Sequence, residues 1–344
     1  MTAESLESQT AVVRWGVIGL GFFGEVHADA LAPMPGIELA ALCTRRPDRL
    51  AELADRYRVP RRYTDYHDLL ADPAVDVVSV TTHIDDHRDI TIDALAAGKH
   101  VLLEKPMARS VEDCDRILEA AGNTDRFFMV GHICRFDPRV ALAKEAIDAG
   151  RVGKIVSMHA RRNLSKAIGR MVLDKISALE GDGIHDADLM LWFSAARPVS
   201  VYAQEVHPGS CKYPDGGWAL VRLDDGSVAV IESVWHLPET TPYQIDARME
   251  ILGTEGALYV NCGEAGLEIH DAGGIQMPDT MYWPHLLGGR FGILRQELRY
   301  FADCVARGER PDRITPEESR AVVRLMHAAT RSSQTGEVVQ LTAE

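Results

Sequence analysis

The sequence has no long hydrophobic run, and its opening stretch MTAESLESQT carries neither a basic start nor an apolar segment. A membrane span needs about 18 or more apolar residues, and a secretory signal needs both of those features. The six cysteines among 344 residues lie far apart, without a C-x-x-C pair. We therefore expect a cytoplasmic protein with reduced thiols and no membrane partner.

The sequence is also short of positive charge. Lys and Arg number 37 against 51 Asp and Glu, which gives a net charge of −14 and disfavours nucleic acid as a partner. The 13 histidines form no H-E-x-x-H motif and no Cys/His cluster with zinc-ligand spacing, so we expect no metal site. The hydrophobic content of 46% is typical of globular proteins. The length predicts two domains, at roughly 100–200 residues each.

The first part of the chain alternates short apolar runs with helical stretches. The predicted strands are 12–20, 37–44, 75–82, 100–105 and 127–132, and the helices between them include 25–34, 87–98 and 111–122. This alternation is typical of a doubly wound parallel sheet with crossover helices. We therefore predict an α/β fold, with a Rossmann-type dinucleotide-binding domain over residues 1–133.

After Pro138 the hydrophobic pattern changes to period two. Strands are predicted at 153–161, 198–206, 218–235, 244–260 and 267–271, and helices at 139–150, 183–194, 292–307 and 316–332. We predict that residues 134–344 form an α+β domain with an open, mostly antiparallel sheet, which serves substrate binding and oligomerisation. The last three helices would cover one face of this sheet, and the other face would pack on a second subunit or stay wet. A homo-oligomer, dimer or tetramer, is expected.

A glycine-rich turn follows the first predicted strand and directly precedes a helix. Its sequence is Gly19-Leu20-Gly21-Phe22-Phe23-Gly24. Glycines allow the tight turn and the close approach of a pyrophosphate, whose negative charge meets the helix N-terminus. We predict that Gly19, Gly21, Phe22, Phe23 and Gly24 bind a dinucleotide cofactor.

The second predicted strand ends without the acidic residue that usually accepts the ribose hydroxyls. It ends instead in Cys43-Thr44-Arg45-Arg46. A hydroxyl followed by two guanidinium groups suits a 2′-phosphate better than a free 2′-hydroxyl. We therefore predict contacts from Thr44, Arg45 and Arg46 and a preference for NADP, with NAD as the alternative. Arg49, Arg56 and Arg58 are expected on a solvated helix face with ion pairs.

Five segments now form a set that resembles a known family. They are GVIGLGFFGEVHADAL (16–31), TTHIDDH (81–87), EKPMA (104–108), VGHICRFDP (130–138) and GDGIHDADLMLW (181–192). In order and spacing they resemble the Gfo/Idh/MocA oxidoreductases over nearly the whole chain. The resemblance implies reversible hydride transfer between NADP or NAD and a secondary alcohol or ketone of a sugar, nucleotide sugar or cyclitol. The later segments look most like the branch that oxidises nucleotide-linked amino sugars.

The resemblance also implies an active-site pair, Lys105 and His185. An ammonium group can stabilise the alkoxide that develops during hydride transfer, and a neutral imidazole can take the hydroxyl proton. Many family members carry an aspartate four residues before the histidine, whereas this sequence has Gly181. Of the two adjacent carboxylates, Glu180 and Asp182, we select Asp182 as the third catalytic residue.

Further candidate contacts lie around this pair. The resemblance implies that Thr81, Thr82, His83, His87, Glu104 and Lys105 line the cofactor, although His83 is equally compatible with a substrate contact or a surface position. A basic concentration that includes Arg135, Arg161, Arg162, Asn163, Lys166 and Arg170 indicates an anionic substrate. We select Arg135, Arg161, Asn163 and Asp188 as substrate-binding residues. The alternative is an exposed basic loop.

Two other functions stay open at this stage. One is a lyase or glycosidase that uses tightly bound NAD transiently, without net redox change, and the missing aspartate favours it. The other is a non-catalytic dinucleotide-sensing protein, although the presence of Lys105 and His185 disfavours it.

Overall fold

The computed structural model describes residues 12–167, 175–208, 212–263, 266–286 and 288–341. Arg170 and Cys211 lie outside the described residues. Of the cysteines within them, all five are free thiols. In the same ranges, no helix combines the length and the apolar character needed to cross a membrane.

The N-terminal domain is built on a six-stranded parallel sheet. Its strands are β1 (Val13–Ile18), β2 (Ile37–Cys43), β3 (Arg61–Tyr63), β4 (Val77–Val80), β5 (His100–Glu104) and β6 (Phe128–Gly131). The strand order is β3-β2-β1-β4-β5-β6, so β2 and β3 lie on one side of β1 and the later strands lie on its other side. The crossover connections therefore leave a crevice at the carboxyl ends of β1 and β4. The sequence analysis missed β3, because this strand has three residues and no apolar run.

Helices flank this sheet on both faces. They are α1 (Phe22–Leu31), α2 (Pro47–Tyr57), α3 (Tyr66–Ala71), α4 (His87–Ala96) and α5 (Val111–Gly122). Helix α1 begins three residues earlier than its predicted start, directly at the glycine turn. Helix α5 begins where the Ser110 side chain accepts a hydrogen bond from the Asp113 backbone, as expected of an N-cap.

The second domain contains a seven-stranded mixed sheet. Its strands are β7 (Ile155–Ser165), β8 (Pro198–Val206), β9 (Gly216–Leu223), β10 (Val228–Leu237), β11 (Ile245–Gly253) and β12 (Ala257–Asn261), with a late strand, Val339–Gln340, at one edge. The order from the other edge is β12-β11-β7-β10-β9-β8. The strands β7 and β10 pair in parallel, and the neighbouring pairs are antiparallel. The predicted mostly antiparallel sheet is confirmed.

Four helices accompany the second domain. They are α6 (Pro138–Asp148), α7 (Ile184–Ser194), α8 (Ile293–Arg307) and α9 (Pro316–Thr335). Helix α9 packs on β8 and on α7, so these two helices cover one face of the mixed sheet. On the opposite face, several large apolar side chains are exposed: Tyr202, Trp218, Leu220, Leu252 and Tyr259.

Helix α8 departs from the expectation that it covers the mixed sheet. It returns to the first domain, where Leu294, Leu298 and Phe301 join the buried core of the parallel sheet. The Phe301 ring meets Trp15 of β1 edge-on, with 5.9 Å between the ring centroids. A helical hydrophobic pattern shows that one face is buried but not against which sheet, and this explains the error.

Arg135, which follows β6, and Asp188 of α7 form a buried ion pair. Arg135 is 1% exposed, and its Nε and Nη2 donate to the two oxygens of Asp188 at 2.9 and 2.7 Å. Its Nη1 donates to Glu318 at the start of α9 and to the Arg313 carbonyl oxygen. The prediction that Arg135 and Asp188 contact substrate is therefore wrong. The basic character of the segment suggested a substrate contact, but in the structure the buried Arg135 and Asp188 side chains bond to each other.

Replacing Arg135 tests this structural role. Arg135→Met would leave Asp188 buried without its cation, so we expect the free energy of unfolding to fall by about 3–5 kcal/mol in urea titrations. The control is Arg307→Met, because the Arg307 side chain is 56% exposed, and it should cost less than about 1 kcal/mol. Equal losses in the two variants would contradict the assignment.

Candidate active site

The glycine turn between β1 and α1 requires glycine at two positions. Gly19 has a φ of +96°, and a Cβ there would lie 2.8 Å from the backbone of Thr81. A Cβ at Gly24 would lie 1.8 Å from the Gly19 carbonyl oxygen. The Thr81 hydroxyl donates to that same oxygen at 2.6 Å. The turn is therefore packed tightly against the carboxyl end of β4.

The outer side of this turn is open. A Cβ at Gly21 would meet no described atom within 4 Å, and α1 starts there without a side-chain cap from the described residues. The N–H groups of the first helical turn are thus free for an anion, which fits the pyrophosphate of a dinucleotide. Phe22 is 62% exposed beside this opening. Phe23 turns inward and meets the Trp283 ring edge-on at 5.3 Å.

The two exposed arginines at the end of β2 make different contacts. Thr44 is buried, and the Arg46 guanidinium donates to the Leu20 carbonyl oxygen at 2.6 Å, so Arg46 supports the glycine turn. The Arg45 side chain is 84% exposed and touches Asp86 at 3.1 Å. As expected of a solvated face, the arginines of α2 pair with acids: Arg49 and Arg56 with Glu25 and Glu52, while Arg58 ends the helix.

The segment after β4 contributes a second side of the crevice. The Thr82 hydroxyl lies 3.5 Å from the His83 carbonyl oxygen, and the partly exposed His83 ring lies 3.2 Å from Asp85. His87 is buried, and its Nδ1 lies 2.9 Å from the Pro106 carbonyl oxygen, to which it donates. Burial lowers the pKa of His87. His87 therefore anchors the turn that follows β5.

The end of β5 separates two adjacent side chains. Glu104, predicted to contact the cofactor, turns into the protein interior, where its carboxylate lies 3.0 Å from His27. Lys105 points the other way and donates from Nζ to the Gly181 carbonyl oxygen at 2.7 Å. Strand alternation explains this difference, because successive side chains lie on opposite faces.

A π-helical turn, Leu179–Gly183, precedes α7 and presents Asp182 to Lys105. The Asp182 carboxylate lies 3.6 Å from the Lys105 ammonium. A Cβ at Gly181 would lie 3.1 Å from the Trp235 ring, so a side chain at the position of the family's aspartate would crowd this ring. The neighbouring Asp182 is the carboxylate that lies near the Lys105 ammonium.

His185 lies one helical turn further along α7 and completes the cluster. Its Nε2 is 4.0 Å from the same Asp182 oxygen that faces Lys105, and its side chain is 9% exposed. Its Nδ1 is buried without a hydrogen-bond partner among the residues described. Burial, followed by the positive charges of Lys105 and Arg162, lowers the pKa of His185 well below its usual range. The imidazole is therefore neutral at physiological pH, as a general base requires.

Arg161 and Asn163 do not reach this cluster. Arg162, between them on β7, faces α7 and pairs with Asp186 at 2.8 Å. Its two neighbours lie on the opposite face of the sheet, where Arg161 pairs with Asp246 and Asn163 donates to Glu232. The prediction that Arg161 and Asn163 bind substrate in this cleft is therefore wrong, because the basic segment is a strand whose side chains alternate. Lys166 is exposed near the end of β7.

These features define a class of protein. A parallel sheet with an open glycine turn at its switch point, facing an ammonium, a carboxylate and a neutral imidazole, is the site of a dinucleotide-dependent oxidoreductase. Two family models match the chain: "Oxidoreductase family, NAD-binding Rossmann fold" over residues 13–132 and "GFO/IDH/MocA C-terminal domain" over residues 140–259. The chain belongs to the Gfo/Idh/MocA family of NAD(P)-dependent oxidoreductases.

Individual relatives align over almost the full length. The chain is 30% identical over 339 residues to myo-inositol 2-dehydrogenase of Thermotoga maritima, covering 96% of this chain and 98% of that protein. It is 26% identical to D-xylose 1-dehydrogenase (NADP(+)) 2 of Haloferax volcanii, covering 96% and 100%. The structure of scyllo-inositol dehydrogenase from Lactobacillus casei with NAD(H) and scyllo-inositol shares the fold, with a TM-score of 0.83, 21% identity and coverage of 96% and 99%.

Removing the ammonium tests the cluster directly. Lys105→Ala should lower kcat by about a hundredfold or more, because it removes the ammonium that would stabilise the developing alkoxide. Coenzyme should still bind, since the glycine turn is unchanged, and titration of coenzyme fluorescence measures this.

The control for this variant is Lys154→Ala, which removes an exposed lysine of the second domain. It should leave both kcat and coenzyme binding unchanged. A Lys105→Ala variant that keeps most of its kcat would overturn the catalytic role of Lys105.

Proposed function

We propose that the protein transfers hydride reversibly between a nicotinamide coenzyme and a secondary hydroxyl of an uncharged polyol, a cyclitol or a sugar. The observation that carries this proposal is the shared Asp182 oxygen, 3.6 Å from Lys105 Nζ and 4.0 Å from His185 Nε2. The names of the inositol and xylose dehydrogenases above support the substrate class.

Each of the three side chains has a defined task. A dinucleotide held by the glycine turn would supply a nicotinamide as the hydride acceptor in the oxidation direction. His185 takes the hydroxyl proton at Nε2, Lys105 stabilises the negative charge that develops on the substrate oxygen, and Asp182 holds both groups in place. In the reduction direction His185 returns the proton to the oxygen.

The arginines near the cleft favour an uncharged substrate over an anionic one. Arg135 and Arg162 are buried and held by Asp188 and Asp186. Breaking either pair for a phosphate or carboxylate would leave a buried carboxylate without its cation. The cleft therefore offers the Lys105 ammonium to a hydroxyl rather than an arginine cluster to an anion.

A substrate panel tests the function. Purified protein is incubated with NAD or NADP and with inositols, aldoses, uronates and nucleotide sugars, while the absorbance of reduced coenzyme is followed. We expect stoichiometric coenzyme reduction with an inositol or a neutral sugar. Turnover with anionic sugars alone would contradict the uncharged class, and product without coenzyme turnover would indicate the transient-redox lyase or glycosidase instead. Tight coenzyme binding without turnover would favour the non-catalytic alternative.

We further propose a preference for NADP over NAD. The support is the absence of an acid at the end of β2, together with the exposed Arg45 guanidinium. The Arg45–Asp86 contact is solvated and contributes less than about 1 kcal/mol, so the guanidinium is free to turn towards a 2′-phosphate.

Arg45→Ala tests the coenzyme preference. It should raise the KM for NADP by about tenfold, because a charge-assisted hydrogen bond is lost, and leave the KM for NAD within about twofold. The control is Arg116→Ala at an exposed position of α5, which should change neither value. Equal losses for both coenzymes would remove the basis for the preference.

We also infer a homo-oligomer through the uncovered face of the mixed sheet. Tyr202, Trp218 and Leu220 leave apolar surface exposed on the adjacent strands β8 and β9 of this face, where Tyr202 pairs with Leu220. Contiguous apolar surface of this kind is typical of an interface. Light scattering on the purified protein should give a dimer or tetramer, and Leu220→Glu should shift the mass towards one chain. A wild-type monomer would contradict this inference.

A further inference from the structure

A buried ion pair joins the first turn of α7 to β7. Arg162 is 5% exposed and Asp186 is 2% exposed. The guanidinium donates from Nε and Nη2 to the two oxygens of Asp186, at 3.2 and 2.8 Å. Two parallel hydrogen bonds of this kind fix the orientation of both groups as well as the distance between them. Asp186 is therefore held in one orientation relative to the strand.

Apolar side chains surround this pair. Leu189, Phe193 and Met249 line a small cavity beside it. Burial raises the pKa of Asp186, and the adjacent guanidinium acts against this rise. The carboxylate therefore depends on Arg162 to stay ionised, because removing one partner of a buried pair leaves the other charge uncompensated.

A tyrosine contacts the other end of the guanidinium. Nη1 of Arg162 donates to the Tyr282 hydroxyl at 3.4 Å. Burial raises the pKa of Tyr282, so this hydroxyl stays protonated. The backbone N–H groups of Met281, Tyr282 and Trp283 donate to the Asp279 carboxylate, which stabilises the loop. Arg162 therefore has a defined position between this loop and α7.

Asp186 directly follows His185 in the first turn of α7. This helix begins without a side-chain cap from the described residues. The bond from Asp186 to β7 thus supplies a side-chain contact that the helix start otherwise lacks. Because the two residues are adjacent on one rigid turn, a rotation of Asp186 would also move Nε2 of His185 away from the Lys105 ammonium.

Charged and titratable groups act on His185 from several elements. Lys105 at the end of β5 and Arg162 of β7 are cations. Asp182 of the π-helical turn lies 4.0 Å from Nε2 of His185. His132, which follows β6, is neutral because burial lowers its pKa. The two cations oppose protonation of the imidazole, so the charge of Arg162 keeps His185 ready to accept a proton.

We propose that Arg162 is a positioning residue for proton transfer at His185. It orients the first turn of α7 through its two bonds to Asp186, and its charge acts on the imidazole. It does not need to touch the substrate. The inference rests on the proposed function, because it requires His185 to take the hydroxyl proton.

Arg162→Lys tests the geometric part of this role. Lysine keeps the positive charge but cannot form the two parallel bonds to Asp186. We expect kcat to fall by about tenfold, with KM values for polyol and coenzyme within about threefold, because the position of the base matters in the transition state rather than in the bound ground state. Steady-state kinetics well below the Tm of the variant measure both.

Arg162→Met tests the electrostatic part. Loss of a nearby cation raises the pKa of His185, and the general base must be neutral, so the acid limb of the kcat/KM profile should move to higher pH by about one unit. The limb of the Lys variant should stay in place. If the Met variant does not fold, Arg162→Met combined with Asp186→Leu removes both buried charges, and the same shift is expected.

Histidine-selective ¹³C NMR follows this change without turnover. The signal of His185, assigned with His185→Asn, should titrate about one pH unit higher in Arg162→Met than in the wild type. The matched control is Arg161→Met, the neighbouring residue of β7 on the opposite face, whose partner Asp246 keeps its contact with Arg248. It should change neither kcat nor the titration.

The outcomes separate this inference from the proposed function. Full kcat in Arg162→Lys, or an acid limb and a His185 titration that stay in place without the cation, would overturn the role of Arg162. If Lys105→Ala is inactive in that case, the proposed function stands and the inference about Arg162 alone fails. If the wild type turns over no substrate, the proposed function fails, and the NMR titration still decides whether Arg162 acts on His185.

Discussion

The hydrogen bond from the Lys105 ammonium to the Gly181 carbonyl oxygen, 2.7 Å long, joins the two domains at the reacting centre. One partner ends a strand of the parallel sheet, and the other lies in the turn before α7. The contact forms only if the two domains keep their relative position. The return of α8 to the first domain maintains that position. The cleft is therefore a consequence of interdomain packing as much as of local sequence.

The buried guanidinium groups around this cleft are paired with carboxylates. Arg162 is paired with Asp186 beside His185, which itself has no cation or anion within bonding distance of Nδ1 among the residues described. A neutral imidazole next to an ammonium can accept a proton without first losing one. In the proposed mechanism, this arrangement separates the ammonium that carries charge from the imidazole that moves a proton. This division suits the oxidation of an uncharged hydroxyl.

Much of the fold could be predicted because hydrophobic periodicity and turn residues are local features of the sequence. Alternating β and α segments predicted the parallel sheet, and the glycine turn has the close contacts at Gly19 and Gly24 that exclude any other residue. The motifs predicted Lys105 and His185 as a pair, and in the structure both side chains lie near the Asp182 carboxylate. The short strand β3 was missed, since three residues with two arginines leave no periodic signal.

The sequence by itself determined the order of the elements, the turn that fits a dinucleotide and the two nitrogen-bearing side chains of the site. Only the tertiary structure decided which sheet α8 covers, which face of β7 carries Arg161 and Asn163, and that Arg135 is buried against Asp188. The physical reason is how far apart in the sequence the interacting residues lie. Turn geometry and helix or strand periodicity arise from residues close in the chain, whereas burial, ion pairing and the choice of a packing partner depend on residues distant in sequence.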